Sequence, residues 1–200
     1  MARYIGPRCR KCRALGMSVC GKGAKCALLR RQTPPGVHPA PRRISDYKRL
    51  LLEKQRLRYL YWLTERQFAR YADGAKRLPG VAGKNLLELL EGRLDVIVYR
   101  LGWTPTLPAA RQLVVHGHVL MNGRPVTSPS YQLAAGDRLS ISETGRRIPM
   151  VAEAAQNPPA LAVPYLSRTK KFEAKLEGRP RAEDIPVEVQ TSLIIEYYAR

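Results

Sequence analysis

All four cysteines of this 200-residue chain fall within eighteen residues, at Cys9, Cys12, Cys20 and Cys26. No other feature constrains the amino-terminal segment as much. Thiolates bind zinc strongly, and the Cys-x-x-Cys knuckle of Cys9 and Cys12 sets two sulfurs on one tetrahedral edge. Cys20 and Cys26 form a looser second pair. Gly16, Gly21 and Gly23 supply the turns that fold a loop around a metal, and Arg8, Arg10, Lys11 and Arg13 offset the two negative charges of a four-thiolate zinc. Without metal the segment has too few apolar residues to fold alone. One structural zinc ion is the expected cofactor; free thiols, a disulfide and an iron–sulfur cluster are the other readings. Four cysteines close the coordination sphere, which argues against a catalytic zinc.

The same segment is very basic. Residues 1–50 hold thirteen Lys and Arg against one acidic residue, net +12 of a total +19, whereas residues 151–200 are neutral. A solvated face mixes both signs, so such a segment repels itself unless a polyanion is present. Nucleic acid is the expected polyanion, through counterion release from phosphates. A membrane surface fits less well, because no amphipathic apolar stripe accompanies these charges. No apolar run approaches the ~20 residues needed to cross a bilayer. The start, Met1-Ala2-Arg3-Tyr4-Ile5-Gly6-Pro7, has no apolar h-region and so is not a secretory signal. The expectation is a soluble, basic, intracellular protein with no membrane partner.

Four prolines make Gln32 to Pro41 an extended linker. Helical patterning begins at Ser45, with Leu50, Leu57, Leu60 and Tyr61 on one face. Thr64-Glu65-Arg66-Gln67 is a capping box flanked by the staple pair Leu63 and Phe68, and that helix ends near Arg77. A third helix fits Leu86 to Leu101. Thr106 caps a short helix near Ala109 to Val115, with Pro108 in its first turn. Val119-Leu120-Met121 is a strand into the hairpin turn Asn122-Gly123, with Val126 on the returning strand, and Leu139 to Ser142 alternates as another. Irregular chain is expected from the break at 156–159 to Pro186, then a helix through Val189, Leu193 and Tyr197.

The order of these motifs resembles the bacterial small-subunit ribosomal protein family conventionally numbered four. The resemblance is carried by Ala2–Pro7, Ser45-Asp46-Tyr47, Glu53-Lys54-Gln55 and Glu65-Arg66-Gln67-Phe68. Its most specific run is Gly92-Arg93-Leu94-Asp95 through Tyr99-Arg100-Leu101-Gly102. It continues through Ala110–Val114, His116-Gly117-His118, Asn122-Gly123, Pro129-Ser130-Tyr131 and Gly136-Asp137 to Ile194–Arg200, nearly end to end. It implies a binder of small-subunit ribosomal RNA at a helix junction in the 5′ domain that nucleates assembly. It also implies a place near the channel where messenger RNA enters, with an influence on translational accuracy. Partners are then the ribosomal RNA, neighbouring small-subunit proteins and messenger RNA, with no small-molecule substrate. Three positions depart from the family pattern. The gap between the Cys pairs is shorter than usual, Trp62 stands where glycine is common, and Leu107-Pro108 stands where relatives carry Arg or another polar residue.

The fold class so read is α+β. A zinc-stapled irregular arm spans 1–44, and a mostly helical body spans 45–92 and 150–200. Between them, 93–149 form a small α/β RNA-binding module, two short helices on a small antiparallel sheet. Expected RNA contacts in the arm are Arg3, Tyr4, Arg8, Arg10, Lys11, Arg13, Lys22, Lys25, Arg30 and Arg31. In the linker and first long helix they are Arg42, Arg43, Tyr47, Arg49, Lys54, Arg56 and Arg58, and in the module Arg93, Arg111, Gln112, His116 and His118. The bland readings are specific. Arg93 pairs with Asp95 or Glu91, Tyr4, Tyr47 and Tyr59 are core, and His116-x-His118 lacks a third metal ligand. No Ser–His–Asp spacing, phosphate-cradling Gly loop with Lys, or Cys beside a His supports an enzyme. The alternatives are an accessory of an RNA-modifying enzyme and a zinc-containing regulator. The first lacks room for a catalytic domain, and the second would need a recognition helix where prolines stand. Leu107 is expected on the RNA-facing surface, so that Leu107→Arg would tighten binding.

Overall fold

Ser45, Thr64, Thr106 and Ser142 each accept a hydrogen bond from a backbone amide in the turn that follows, so four side-chain oxygens set where four helices begin. The computed structural model describes residues 4–21, 23–37, 44–156 and 163–199. In chain order the elements are α1 (Arg8–Leu15), α2 (Ala27–Arg30), α3 (Asp46–Leu60), α4 (Glu65–Arg77), α5 (Ala82–Glu91), α6 (Leu94–Arg100), α7 (Leu107–Val115), β1 (Val119–Met121), β2 (Arg124–Pro125), β3 (Arg138–Ile141), α8 (Glu143–Arg146), α9 (Pro149–Ala154), β4 (Leu166–Lys170), β5 (Glu173–Leu176) and α10 (Thr191–Tyr197). The chain divides into two compact units, residues 1–86 with 187–200, and residues 87–186.

In the first unit α10 packs on α3. The join is built on Lys54, whose side chain is only 3% exposed. Its ammonium donates to Glu65 Oε1 at 2.7 Å, and the Tyr198 hydroxyl donates to the same oxygen at 2.8 Å. The Tyr197 ring lies 4.5 Å from the Lys54 nitrogen. A lysine this deep is tolerated only because a carboxylate and an aromatic face replace its water. Burial opposes ionisation of Glu65, but the hydrogen bonds from Lys54 and Tyr198 outweigh it and hold the carboxyl below its ordinary value.

The second unit is a five-stranded antiparallel sheet, ordered β2-β1-β3-β5-β4, covered by helices. Period-two alternation decides its faces. Val119, Leu139, Ile141, Ala174 and Leu176 point into a core shared with Leu94, Ile97, Trp103 and Leu113. Arg138, Ser140 and Lys175 occupy the other face, in register across β3 and β5. Asn122 and Gly123 both take positive φ, 49° and 81°, as the hairpin turn requires.

Three expectations are corrected. The arm is not irregular, since α1 and α2 form within it. The helix expected over Leu86 to Leu101 is two, α5 and α6, because Arg93 is extended (φ −74°, ψ 141°) and bridges Gln132. The Leu94 and Asp95 amides, the first of α6, donate to Tyr131 and Pro129 carbonyls rather than continuing α5. Gly92 lets the joint pack closely, since a Cβ there would lie 2.7 Å from Gln132 Oε1 and displace that side chain. The chain read as irregular before Pro186 holds β4 and β5, so this stretch adds strands to the sheet and only 187–200 rejoin the helical unit. These strands carry a weak sequence signal because β4 is a charged edge strand and β5 alternates with Ala174 rather than a large apolar residue.

Candidate nucleic-acid interface and metal centre

The arm folds around its cysteines. The Sγ atoms of Cys9, Cys20 and Cys26 lie within 4.8 Å of one another, and Cys20 and Cys26 are buried. Cys12, expected as the fourth ligand, is buried with Cys20 and Cys26 in the arm's apolar cluster but is not one of these three close sulfurs, and it donates to the Arg8 carbonyl at 3.7 Å. Burial pushes the Cys12 thiol up to about 12. For Cys26 burial is outweighed by hydrogen bonds from the Leu28 backbone, Ser18 and the neighbouring cysteines, which bring the thiol down to about 7. Zinc–sulfur bonds of ~2.3 Å in a tetrahedron set sulfurs ~3.8 Å apart. Three close cysteines can therefore hold a metal with small adjustments, and the donor set suits a soft borderline cation.

Leu15, Val19 and the buried cysteines pack on Tyr59, with Tyr4 and Trp62 alongside. Trp62 has φ 49°, the left-handed conformation that glycine adopts freely. The departure from glycine is compensated through the side chain. The indole Nε1 donates to the Val19 carbonyl at 2.9 Å, and the Arg8 guanidinium lies 5.3 Å from the ring.

At the head of the second unit, Asp95 gathers two cations. Arg93 Nε and Nη2 donate to its two oxygens at 3.0 and 2.8 Å. Arg111 Nη1, from α7, stands 4.0 Å from Oδ2. Arg93 is 0% and Asp95 1% exposed. A second pair joins half-buried Arg100 to fully buried Glu91, which also accepts from the Tyr165 hydroxyl at 2.8 Å.

The expected contact residues divide by access. Arg10, Lys25, Arg30, Arg31, Tyr47, Arg49, Gln112 and His116 are exposed. Tyr4, Arg8, Lys11, Arg13, Arg56, Arg58, Arg111 and His118 are half-buried. Lys11 lies 5.1 Å from the Tyr4 and Tyr59 rings. Arg13 donates to the Thr33 and Pro34 carbonyls at 2.9 and 3.1 Å. Arg56 pairs with Glu53 and donates to the Leu15 carbonyl, and Arg58 pairs with Glu65 at 3.2 Å. His118 Nδ1 is 3.5 Å from the Thr144 hydroxyl, and its ring centroid is 6.2 Å from that of His116. Lys54 and Arg93 are buried in ion pairs and present no surface to a polyanion. Leu107 is only 7% exposed, which overturns its expected place on the RNA-facing surface. Leu107, the first residue of α7, is buried, and Pro108 after it is half-buried. Arg3, Lys22, Arg42 and Arg43 lie outside the described residues.

Residues 3–91 match the family described as ribosomal protein S4/S9 N-terminal domain, and residues 92–139 match the S4 domain. The chain is 44% identical to small ribosomal subunit protein uS4 of Trichlorobacter lovleyi over the whole of both chains. It belongs to the uS4 family. The uS4 proteins of Geobacter sp. (strain M21) and Brevibacillus brevis are each 42% identical, again with complete coverage of both chains. These relatives are named as small ribosomal subunit proteins, none of them as an enzyme or a regulator. In this uS4 chain the paired Arg93 and Asp95 stand at the start of the S4 domain match.

Sequence reasoning missed two things here. Glu65 and Tyr198 share one ion-paired cluster although 133 positions separate them, which no local pattern reveals. It also passed over Arg66, Arg70 and Arg77, all exposed on α4. Their helical spacing was available in the sequence.

Proposed function

We propose that this chain is a primary binder of small-subunit ribosomal RNA, holding a helix junction of the 5′ domain and nucleating assembly around it. It works in the cytoplasm within the small subunit, beside neighbouring ribosomal proteins and near the channel where messenger RNA enters, with an influence on translational accuracy. The full-length likeness to proteins named for the small ribosomal subunit carries this reading. The net charge of +12 in residues 1–50 supports it, because phosphate neutralisation and counterion release dominate such binding.

In this reading the exposed arm cations Arg10, Lys25, Arg30 and Arg31 meet phosphates, and Arg3, Lys22, Arg42 and Arg43 contribute their charge to the same binding. Arg111, Gln112, His116 and His118 form the contact face of the module. Arg93 acts through Asp95 by holding it against Arg111. Cys9, Cys12, Cys20 and Cys26 hold one zinc ion, which cross-links the arm when bound. The arm's own residues then present Arg8, Arg10, Lys11 and Arg13 from a fixed scaffold.

Sedimentation of the native protein on a sucrose gradient tests the class. Co-migration with small subunits that survives moderate salt is expected, and a peak of free protein at every salt would overturn it. Metal analysis of the purified chain should find one equivalent of zinc, lost on Cys20→Ser.

A further inference from the structure

We infer that the exposed face of α4 is an additional phosphate-binding surface, a stripe of Arg66, Arg70 and Arg77 that takes the backbone of ribosomal RNA. The inference rests on the RNA-binding reading above and adds a surface outside the arm and the α6–α7 module.

An α-helix rises ~1.5 Å and turns ~100° per residue. Arg66 and Arg70 are therefore ~6 Å apart along the axis, Arg77 is ~10 Å further on, and all three project within ~40° of one another. Phe68, Ala72 and Ala75, on the opposite face, are 0% exposed. The stripe is thus fixed outward by the packing of α4. All three arginines are exposed, and no hydrogen bond or ion pair among the described residues engages them. Asp73 lies between them at spacings that favour ion pairs, yet none forms within 4.0 Å among the described residues. The other acid of α4, Glu65, is committed to Lys54, Arg58 and Tyr198. Lys76 is also set apart, donating to the Tyr198 carbonyl at 2.8 Å.

Helix stability does not account for the stripe. A cation in the last turn is favourable, which covers Arg77, but Arg66 sits in the first turn, where positive charge opposes the helix dipole. A residue that works against its own helix signals a demand from elsewhere. The platform is also rigid. Its start carries a complete capping box, Thr64 with Gln67. Its end is tied by Asn85, whose side-chain amide donates to the Ala75, Leu78 and Pro79 carbonyls at 3.2 Å each. Three guanidiniums on such a base lose only side-chain freedom on binding, and their planar forks match phosphate oxygens.

The test is a salt titration of the full chain with a transcript of the 5′ domain of small-subunit ribosomal RNA. Replacing Arg66, Arg70 and Arg77 together with Gln should lower the slope of log affinity against log salt by about 2, at ~0.7–0.9 per phosphate contact. Replacing all three with Lys should keep most of that slope. A control with Lys170, Lys171 and Arg179 changed to Gln removes the same charge from other exposed sites. An unchanged slope in the Gln variant overturns the inference, as does an equal loss in the control, which would mean that net charge alone is read. Arg66→Gln by itself guards against misfolding. It should raise the melting temperature slightly while weakening binding, a pairing that a structural role would not produce. If the unaltered chain shows no salt-dependent binding, the RNA-binding reading itself fails and this surface falls with it.

Discussion

Truncating Asp95 to Ala should be among the most damaging single changes in the second unit. The carboxylate is 1% exposed and receives two hydrogen bonds from Arg93, itself 0% exposed. Removal takes from the buried Arg93 guanidinium the carboxylate that both of these hydrogen bonds reach. Breaking a buried pair in this way costs about 3–5 kcal/mol, and a unit charge pair 4 Å apart at an effective dielectric near 20 gives about 4 kcal/mol by a separate route. Arg111 adds less, because its side chain is 12% exposed and 4.0 Å away. Urea unfolding followed by fluorescence can read the effect in one unit. Trp62 and Trp103 are the chain's two tryptophans, one in each unit. In a Trp62→Phe background the emission reports Trp103, which is 0% exposed. With a urea slope of about 2 kcal/mol/M, the midpoint should fall by about 2 M at unchanged slope. Replacing both partners with apolar residues, Arg93→Met with Asp95→Leu, should restore most of the loss, since the fully buried guanidinium goes with the carboxylate and only the more exposed and more distant Arg111 still loses an ion pair. A loss under about 1 kcal/mol in the single variant, or a double variant worse than the single, would refute the reasoning.

Three further outcomes follow from single sites. Leu107→Arg places a charge where the side chain is 7% exposed, so it should destabilise by about 2 kcal/mol or more, with no gain in RNA affinity, in a melt paired with a binding titration. Trp62→Gly relieves a left-handed residue, worth about 1–2 kcal/mol, but forfeits the indole packing and the Val19 bond, worth about 3–5 kcal/mol. The net should be destabilising, with faster amide exchange at Val19 and Cys20. Glu65 is held below its ordinary value of 4.5, so its stabilisation is complete above that pH and is lost as pH falls through the lower folded value. Urea midpoints between pH 3 and 6 should therefore fall less steeply in Glu65→Gln, and an identical fall would show that Glu65 is not coupled to folding.

Local chemistry in the sequence was enough to place the capped helices and the hairpin. Thr64 and Gln67 sit three residues apart, Thr106 precedes Pro108, and Asn122-Gly123 takes its turn in two residues, so each signal is complete within one turn. What escaped depends on distant partners. Arg93 breaks a continuous apolar stripe because Gln132 bridges it and Tyr131 takes the first amide of α6. Lys54 read as a surface cation because Glu65 and Tyr197 enclose it only after α10 docks. Leu107 was placed by analogy with a polar position, whereas capping by Thr106 turns it inward. Spacing pointed to all four cysteines, whereas Cys9, Cys20 and Cys26 are the three whose sulfurs lie close together. Trp62 at a glycine-type φ was legible only through the family resemblance, since a tryptophan by itself gives no sign of it.

The central claim is that this chain recognises small-subunit ribosomal RNA directly. The most direct measurement is filter binding of the purified full chain, with no other protein present, to a 5′ domain transcript and to an unrelated transcript of equal length. Saturable binding with log affinity falling linearly against log salt is predicted, at least tenfold tighter for the 5′ domain (about 1.4 kcal/mol). Equal affinity for the two transcripts at every salt concentration would contradict it.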